Sequence, residues 1–210
     1  MDSHKVNFEQ LSSDYSNSGS LQYKKLRIID SYIPSGEKLL DVGMGTGETI
    51  NLEKGKFKEI CGVDADYDSV RICQDRFLGN SSIKILQGNI HDLATLFGQK
   101  EFDVITALDI LEHLNMSDCE VALSSCYDLL KDGGIFIFSG PGIFEKIRIH
   151  LGLSPTHLHS HSPLGWRRMI EGAGFTVISI ETAEFPVFHW DYLRKNVCVL
   201  GKCCIIVARK

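Results

Sequence analysis

Residues 39–47 read Leu-Leu-Asp-Val-Gly-Met-Gly-Thr-Gly, an apolar run that breaks into a glycine at every second position. Glycines in this pattern let a backbone turn sharply out of a strand, and they let a ligand approach the N–H groups that open the next helix. Two phosphate-binding loops share the look, and neither fits. A dinucleotide loop needs G-x-G-x-x-G, its third glycine permitting close helix–strand packing around a pyrophosphate. Counting from Gly43, that sixth position is Glu48, whose charge repels phosphate. A P-loop needs Gly-Lys-Ser/Thr, and none follows. What remains is G-x-G-x-G, opened by the acid Asp41.

The flanking sequence supplies a frame for that loop. Short apolar runs at 38–43, 59–64, 83–88, 102–108 and 134–140 alternate with helical patterns near 47–54, 67–78, 91–98 and 117–131. Runs this short suit strands, and the intervals suit crossover helices, so the repeated unit predicts a parallel sheet with helices on both faces. An amphipathic helix is expected from Leu21, ended by Pro34-Ser35-Gly36, and Gly133-Gly134 is expected to turn the chain after Leu129-Leu130. A helix over 163–172 and strands over 175–181 and 204–209 complete the pattern. Residues 141–162 hold two Pro, two Gly and four His, and read as a loop or small lid inserted on the substrate side. The whole chain, 1–210, reads as a single domain with residues 1–20 as an N-terminal lid segment.

A ligand with a ribose needs an acceptor for its hydroxyls at the end of the second strand, and Asp64 stands there, 21 residues after Gly43. Capping the helix that begins at Tyr67 is the competing role for Asp64, and Asp66 serves it equally well. At the end of the third strand comes Gln87-Gly88-Asn89-Ile90.

With those positions in place, LLDVGMGTGETI resembles motif I of the class I methyltransferases that use S-adenosyl-L-methionine (SAM). The resemblance runs from about 38 to 181 and is closest to the type 11/23, ubiquinone-type O-methyltransferase subgroup. It implies an α/β fold with a doubly wound, seven-stranded, mostly parallel Rossmann-like sheet, and a small lid from 141–162 and 183–196. It also implies that Asp41 orders a SAM loop made by Gly43, Gly45 and Gly47. Asp64, with Ala65 beside it, takes the ribose. Asn89 stands where the family commonly has Asp and keeps an acceptor for the adenine amino group. Ile90 covers the adenine face, and Leu108 ends the fourth strand beside the cofactor. SAM is the implied cofactor and S-adenosyl-L-homocysteine (SAH) its product.

Methyl transfer from a sulfonium chiefly needs alignment and exclusion of water, and a hydroxyl acceptor adds a proton to be removed. His113 and the cluster His157, His159 and His161 are the candidates, His113, His157 and His159 foremost. Asp109, Glu112 and His113 are spaced so that one helical turn presents all three. With a later His they resemble the E-x-x-E-H plus His set of magnesium-dependent RNA 2′-O-methyltransferases. Leu-Glu-His is also common in metal-free members, and a metal-free site is the reading adopted. Fourth-strand residues Ala107-Leu108-Asp109-Ile110 lack the Pro-Pro-Tyr of nucleobase amino-methylating enzymes. Tyr15 and the aromatics Phe185, Phe188, Trp190 and Tyr192 are candidate walls of an acceptor pocket.

Bulk properties narrow the substrate. Of 210 residues, 43% are hydrophobic and 23% charged, the balance of a globular protein with a sizeable core. A net charge of −5 disfavours long nucleic acids, whose phosphates call for surplus Lys and Arg. Seven Cys, an odd number with no C-x-x-C spacing, read as reduced core residues rather than a disulfide or zinc framework. With no membrane-length apolar run and a polar start, MDSHKVNFEQ, a cytoplasmic monomer or homodimer without membrane contact is expected. The expected function is methyl transfer from SAM to a small molecule, O-methylation ahead of N- or C-methylation. The rivals are a magnesium-dependent RNA 2′-O-methyltransferase and a SAM-binding regulatory protein without turnover.

Overall fold

The computed structural model describes residues 17–154, 156–183 and 203–210. Its elements, in chain order, begin with α1 (Leu21–Asp30), β1 (Gly36–Val42), α2 (Glu48–Glu53), β2 (Phe57–Asp64) and α3 (Tyr67–Arg76). Then come β3 (Ile83–Gln87), α4 (Leu93–Leu96), β4 (Phe102–Leu108), a 3₁₀ turn (Leu111–His113), α5 (Met116–Leu129) and β5 (Leu130–Pro141). The last are α6 (Ile143–His150), α7 (Pro163–Gly172), β6 (Thr176–Ala183) and β7 (Cys203–Arg209).

The seven strands form one sheet in the order β3-β2-β1-β4-β5-β7-β6. All neighbours are parallel except β7, which runs antiparallel to both β5 and β6. Successive side chains of each strand go to opposite faces, so two cores form. Leu40, Val42, Cys61, Val63, Ile105, Ala107, Phe136 and Phe138 pack on one face, beneath Cys119 and Leu123 of α5 and Trp166 and Ile170 of α7. Leu39, Ile60, Val104, Ile137, Ile205 and Val207 pack on the other, beneath Ile29 of α1, Ile50 of α2 and Val70 and Cys73 of α3. A sheet buried on both faces requires strands that are apolar at nearly every position, which is why these strands read as continuous runs rather than alternating ones.

Three local expectations are revised. Residues 141–162 are not a plain loop, because they contain α6. Pro141 and the two glycines flank the helix instead of interrupting it: Pro141 and Gly142 precede it, and Gly152, at φ +69°, donates its N–H to the Ile149 carbonyl at its end. The helix expected over 91–98 shrinks to the single turn of α4, since Asp92 as N-cap makes no side-chain capping bond and the chain is extended again at Phe97. Leu130 belongs to β5 rather than to the preceding helix, pairing with Phe102 before Gly133, at φ +76°, turns the chain back into register at Ile135. Residues 1–16 and 184–202, which hold Tyr15, Phe185, Phe188, Trp190 and Tyr192, lie outside the described residues. No helix among the described residues is long and apolar enough to cross a membrane.

Candidate functional site

The strand order reverses direction at β1, which has β2 on one side and β4 on the other. In such sheets a crevice opens beyond the carboxyl ends of the strands at that reversal, and ligands bind there. Register brings the expected residues to its rim. Val42 pairs with Val63 and with Ala107, so Gly43, Asp64 and Leu108 leave their strands side by side, and Asp64 pairs with Gln87 two residues before Asn89.

The glycine loop is held by backbone and side chains from below. Gly43, Gly45 and Gly47 lie at φ +69°, +52° and +78°, conformations in which a Cβ is strained. They differ in what a Cβ would meet. On Gly43 it would stand 2.2 Å from Cγ2 of Ile110, and on Gly47 it would stand 2.8 Å from Phe77 and 2.9 Å from Sγ of Cys73. On Gly45 it would meet no atom within 4 Å. Gly43 and Gly47 are therefore glycines of packing, and Gly45 lines open space.

Asp64 accepts the Gly45 N–H at Oδ2 and the Asp66 N–H at Oδ1, both at 2.9 Å, so its carboxylate is braced against the loop. Capping of α3 falls to Asp66, whose Oδ2 accepts the Ser69 N–H at 2.9 Å. Beneath the loop, Asp41 is buried and accepts the hydroxyl of Thr106 at 2.6 Å. Burial pushes its carboxyl up to about 7; hydrogen bonds from Thr106 and Thr49 oppose that rise, and the nearby charges of Asp64 and Glu53 add to it. Glu48, which argued against pyrophosphate by its charge, is engaged by Arg76 at 2.7 Å, and the same guanidinium donates to the Thr46 carbonyl at 2.8 Å. What separates this loop from a dinucleotide loop is thus the packing of Gly47 on α3 rather than a bare negative charge.

Around the far side of the rim, the Ala65 carbonyl accepts from Gln87 Nε2 at 3.4 Å. Asn89 is exposed and folds into an Asx turn, its Oδ1 accepting the His91 N–H at 2.8 Å. Ile90 is half-buried against the core. Leu108 is half-buried against the opposite one.

Beyond Leu108 the chain makes a strained exit. Asp109 adopts φ +55°, a left-handed conformation that Asp tolerates better than most residues. It is fixed there by the Ser139 hydroxyl, 2.8 Å from Oδ1, by its own N–H on the Ser139 carbonyl, and by an ion pair to the buried Lys25 of α1. Burial raises the Asp109 carboxyl, but Lys25 and Ser139 outweigh it and hold the pKa below its ordinary value. The 3₁₀ turn then buries Glu112 to 2% exposure. Burial, with the Asp109 charge adding to it, pushes the Glu112 carboxyl up to about 8.

The structure brings two of the three expected catalytic histidines together and not the third. His113 and His157 meet edge to face with ring centroids 4.8 Å apart. Nδ1 of His113 donates to the Thr156 carbonyl at 2.9 Å, and Nδ1 of His157 to Oε1 of Glu145 at 2.8 Å. His159 instead turns into the packing between α5 and α7, with Nε2 at 3.0 Å from the Leu114 carbonyl and its ring 5.6 Å from that of Trp166. His161 packs on Trp166 as well, at 4.8 Å. Three residues here were not singled out from sequence: Lys25, Ile110 and Glu145. Lys25 and Glu145 sit on helices as ordinary charged residues, and their partners are 84 and 12 positions away.

A family model described as a methyltransferase domain matches residues 19–180. The chain belongs to this family. Among its curated relatives is a ribosomal protein L11 methyltransferase of Macrococcus caseolyticus, 30% identical over 116 residues, with 55% of this chain and 35% of the relative covered. Another is a ubiquinone biosynthesis O-methyltransferase of Haemophilus ducreyi, 30% identical over 172 residues, with 77% and 72% covered. This chain spans about a third to three fifths of the length of the first curated relatives it matches. Among solved structures, a SAM-dependent methyltransferase from Archaeoglobus fulgidus superposes with a TM-score of 0.70 at 20% identity, covering 96% of this chain and 99% of that one. The fold is therefore the Rossmann-like methyltransferase fold, and SAM is the cofactor that family and fold imply. The methyltransferase rim fits such a group: the cradle over Gly45 is one that a Cβ would fill, a carboxylate stands at Asp64, and apolar side chains stand at Ile90 and Leu108.

Proposed function

We propose that this methyltransferase passes the methyl group of SAM to a hydroxyl of a small organic acceptor. SAM supplies a methyl carbon on a sulfonium whose leaving group is already good. Gly43, Gly45 and Gly47, ordered by Asp41, would hold its methionine part, Asp64 and Ala65 its ribose, and Asn89, Ile90 and Leu108 its adenine side. For a hydroxyl acceptor, the chain's own residues would have to align the oxygen with that methyl group, exclude water and remove the hydroxyl proton.

The observation that carries the hydroxyl reading is the imidazole pair beyond β4. Both rings donate through Nδ1, to a carbonyl and to a carboxylate, an orientation that places the lone pair of the neutral ring on Nε2. Amine acceptors do not require such an arrangement in the same degree. Ile110, packed on Gly43, links the glycine loop to the 3₁₀ turn that carries His113, its carbonyl accepting the His113 N–H at 3.1 Å. His113 and His157 are thus the residues we assign to the acceptor's proton; His159 acts through the packing of Trp166. A net charge of −5 favours a small acceptor over long RNA. The described cysteines are free and buried, which suits a cytoplasmic protein.

The test is transfer of a labelled methyl group from SAM to a panel of phenols, catechols, amines and a ribosomal extract. Label in hydroxyl acceptors, cut about 10- to 100-fold in kcat by Glu145→Gln, supports the reading. Label confined to amines or polypeptide overturns the hydroxyl assignment. SAH binding with no label in any acceptor would favour a regulatory protein instead.

A further inference from the structure

The glycine loop leans on one side of α3. Cys73, Arg76 and Phe77 stand at i, i+3 and i+4 of that helix and its cap, so their side chains leave it together. Phe77 and Cys73 fill the room that a Cβ on Gly47 would need. The polar contacts go to carbonyls. Sγ of the buried Cys73 donates to the Gly45 carbonyl at 3.2 Å. Nη1 of Arg76 donates to the Thr46 carbonyl at 2.8 Å and to Oε1 of Glu48 at 2.7 Å, and Nη2 donates to Oε2 of Glu48 at 3.2 Å. A planar guanidinium can span a carbonyl and a carboxylate at once, which a lysine ammonium does less well.

Peptide geometry turns these contacts into a direction. No described peptide bond is cis, and in a trans peptide the C=O and the N–H point to opposite sides. The Gly45 carbonyl faces α3, so the N–H of Thr46, in the same peptide, faces away from it. That N–H meets no acceptor among the described residues. Other N–H groups of the loop are occupied: Gly43 and Met44 donate to the Val63 carbonyl, Gly45 to Asp64, and Gly47 to the Met44 carbonyl. The Thr46 hydroxyl is also buried without a hydrogen-bond partner among the described residues, in a residue that is 6% exposed. Orphaned donors are costly unless a ligand accepts from them. Their neighbour Gly45 is the glycine that lines open space.

We propose that Arg76 and Cys73 are positioning residues for the methionine part of SAM. From behind the loop they hold the carbonyls of Thr46 and Gly45, and so present the Thr46 donors to the carboxylate of that part, the group of SAM that accepts hydrogen bonds most strongly. Arg76 acts through the loop and is not the counter-ion of the carboxylate, because Glu48 already engages both of its Nη atoms. The proposal rests on the methionine part lying on the glycine loop, and the experiment tests that placing separately.

Calorimetry on the full-length protein compares two ligands with a common adenosine: SAH, which carries the carboxylate, and 5′-methylthioadenosine, which lacks the amino acid. The ratio of their affinities is read in wild type, Arg76→Ala, Cys73→Ala, Cys73→Ser, Gly45→Ala and Arg167→Ala. Arg76→Ala should weaken SAH about 10-fold and methylthioadenosine by less than about 2-fold. Cys73→Ala should weaken SAH about 3- to 10-fold. Cys73→Ser keeps a donor for the Gly45 carbonyl and should restore most of the wild-type ratio. Arg167→Ala, which loses a contact with Glu171 on α7, should leave both affinities unchanged. Thermal melts show which variants are folded.

Unchanged SAH affinity in folded Arg76→Ala, or equal losses for the two ligands, overturns the proposal, since a pair that served the fold alone would not move the ratio. Should Cys73→Ser lose as much as Cys73→Ala, the part assigned to Cys73 is overturned. In Gly45→Ala the added methyl group should weaken SAH far more than methylthioadenosine. Equal losses there overturn the placing of the methionine part and the proposal with it. A selective loss in Gly45→Ala with none in Arg76→Ala overturns the positioning role and leaves that placing intact.

Discussion

The three loop glycines separate cofactor binding from folding, because their missing side chains face different things. Ala at any of them has to adopt a left-handed φ, at about 1–2 kcal/mol. At Gly45, where a Cβ would meet no atom within 4 Å, that strain is the whole cost to the fold. Gly43→Ala adds a Cβ 2.2 Å from Cγ2 of Ile110, and Gly47→Ala one wedged between Phe77 and Cys73 at 2.8 and 2.9 Å. Overpacking of this kind costs about 1–3 kcal/mol more, for roughly 2–5 kcal/mol in all. Urea unfolding should therefore rank Gly45→Ala as the mildest of the three. Calorimetry with SAH should show the opposite for binding relative to stability: Gly45→Ala stays folded but loses about 100-fold in affinity, near 2.7 kcal/mol, because its methyl group fills the cradle. Ile110→Ala removes the clashing Cγ2 and leaves a Cβ 3.4 Å away, so it should recover part of the Gly43→Ala loss, with a coupling of about 1 kcal/mol or more. Should Gly45→Ala unfold as readily as Gly43→Ala, or bind SAH as wild type does, the division between packing and cradle glycines is wrong.

Two more predictions use the carboxylates of the rim. Asp64→Ala should weaken SAH about 10- to 100-fold, whereas Asp66→Ala should cost about 1 kcal/mol of stability as a lost helix cap and change affinity far less; equal effects on binding would mean the ribose acceptor is misassigned. Asp41, raised to about 7, keeps its proton when folded over a range where the unfolded chain has lost it. Its contribution is therefore full below about pH 4 and lost as pH rises through about 7, by at most roughly 4 kcal/mol. Asp41→Asn should flatten the fall between about pH 4 and pH 7 in urea melts. Carboxyls held low, such as Asp103 and Glu59, act below that window.

How far the sequence carried the reading depends on how far each interaction reaches along the chain. The strands and the order of the rim residues were legible because both are local patterns: apolar runs of strand length, and an acid or glycine at each strand end. The choice between Asp64 and Asp66 was not legible, since either spacing allows a cap; it is decided by the Asp66 carboxylate on Ser69. The acid–histidine turn after β4 was half legible. Spacing grouped Asp109 with Glu112 and His113, but the 3₁₀ turn begins only at Leu111, and the left-handed φ of Asp109 turns its carboxylate to Lys25 and Ser139. A pairing across 84 residues leaves no trace in spacing. Helix α6 was missed because proline and glycine were read as breakers, when here they bound the element.

The distribution of polar groups along the strands argues that the rim is built against the stability of the fold. At the amino ends of the strands, charges are paired and satisfied: Asp103 accepts from the backbone of Glu37 and Lys38 and from Lys131, and Lys38 bridges Glu59 and Glu101. At the carboxyl ends the same sheet gathers three left-handed glycines, a left-handed Asp109, a carboxyl at Asp41 pushed toward neutrality and a buried Glu112 oxygen with no donor. The glycines take a left-handed φ without strain, but the other three features cost about 1–3 kcal/mol apiece and persist only where the surrounding structure holds them. Here the holding is done by the two apolar cores and by side chains reaching in from the helices, Lys25 from α1, Arg76 from α3 and Glu145 from α6. Ligands that satisfy the rim should therefore stabilise the protein more than their contact area implies, because each relieves a cost already present in the unliganded chain.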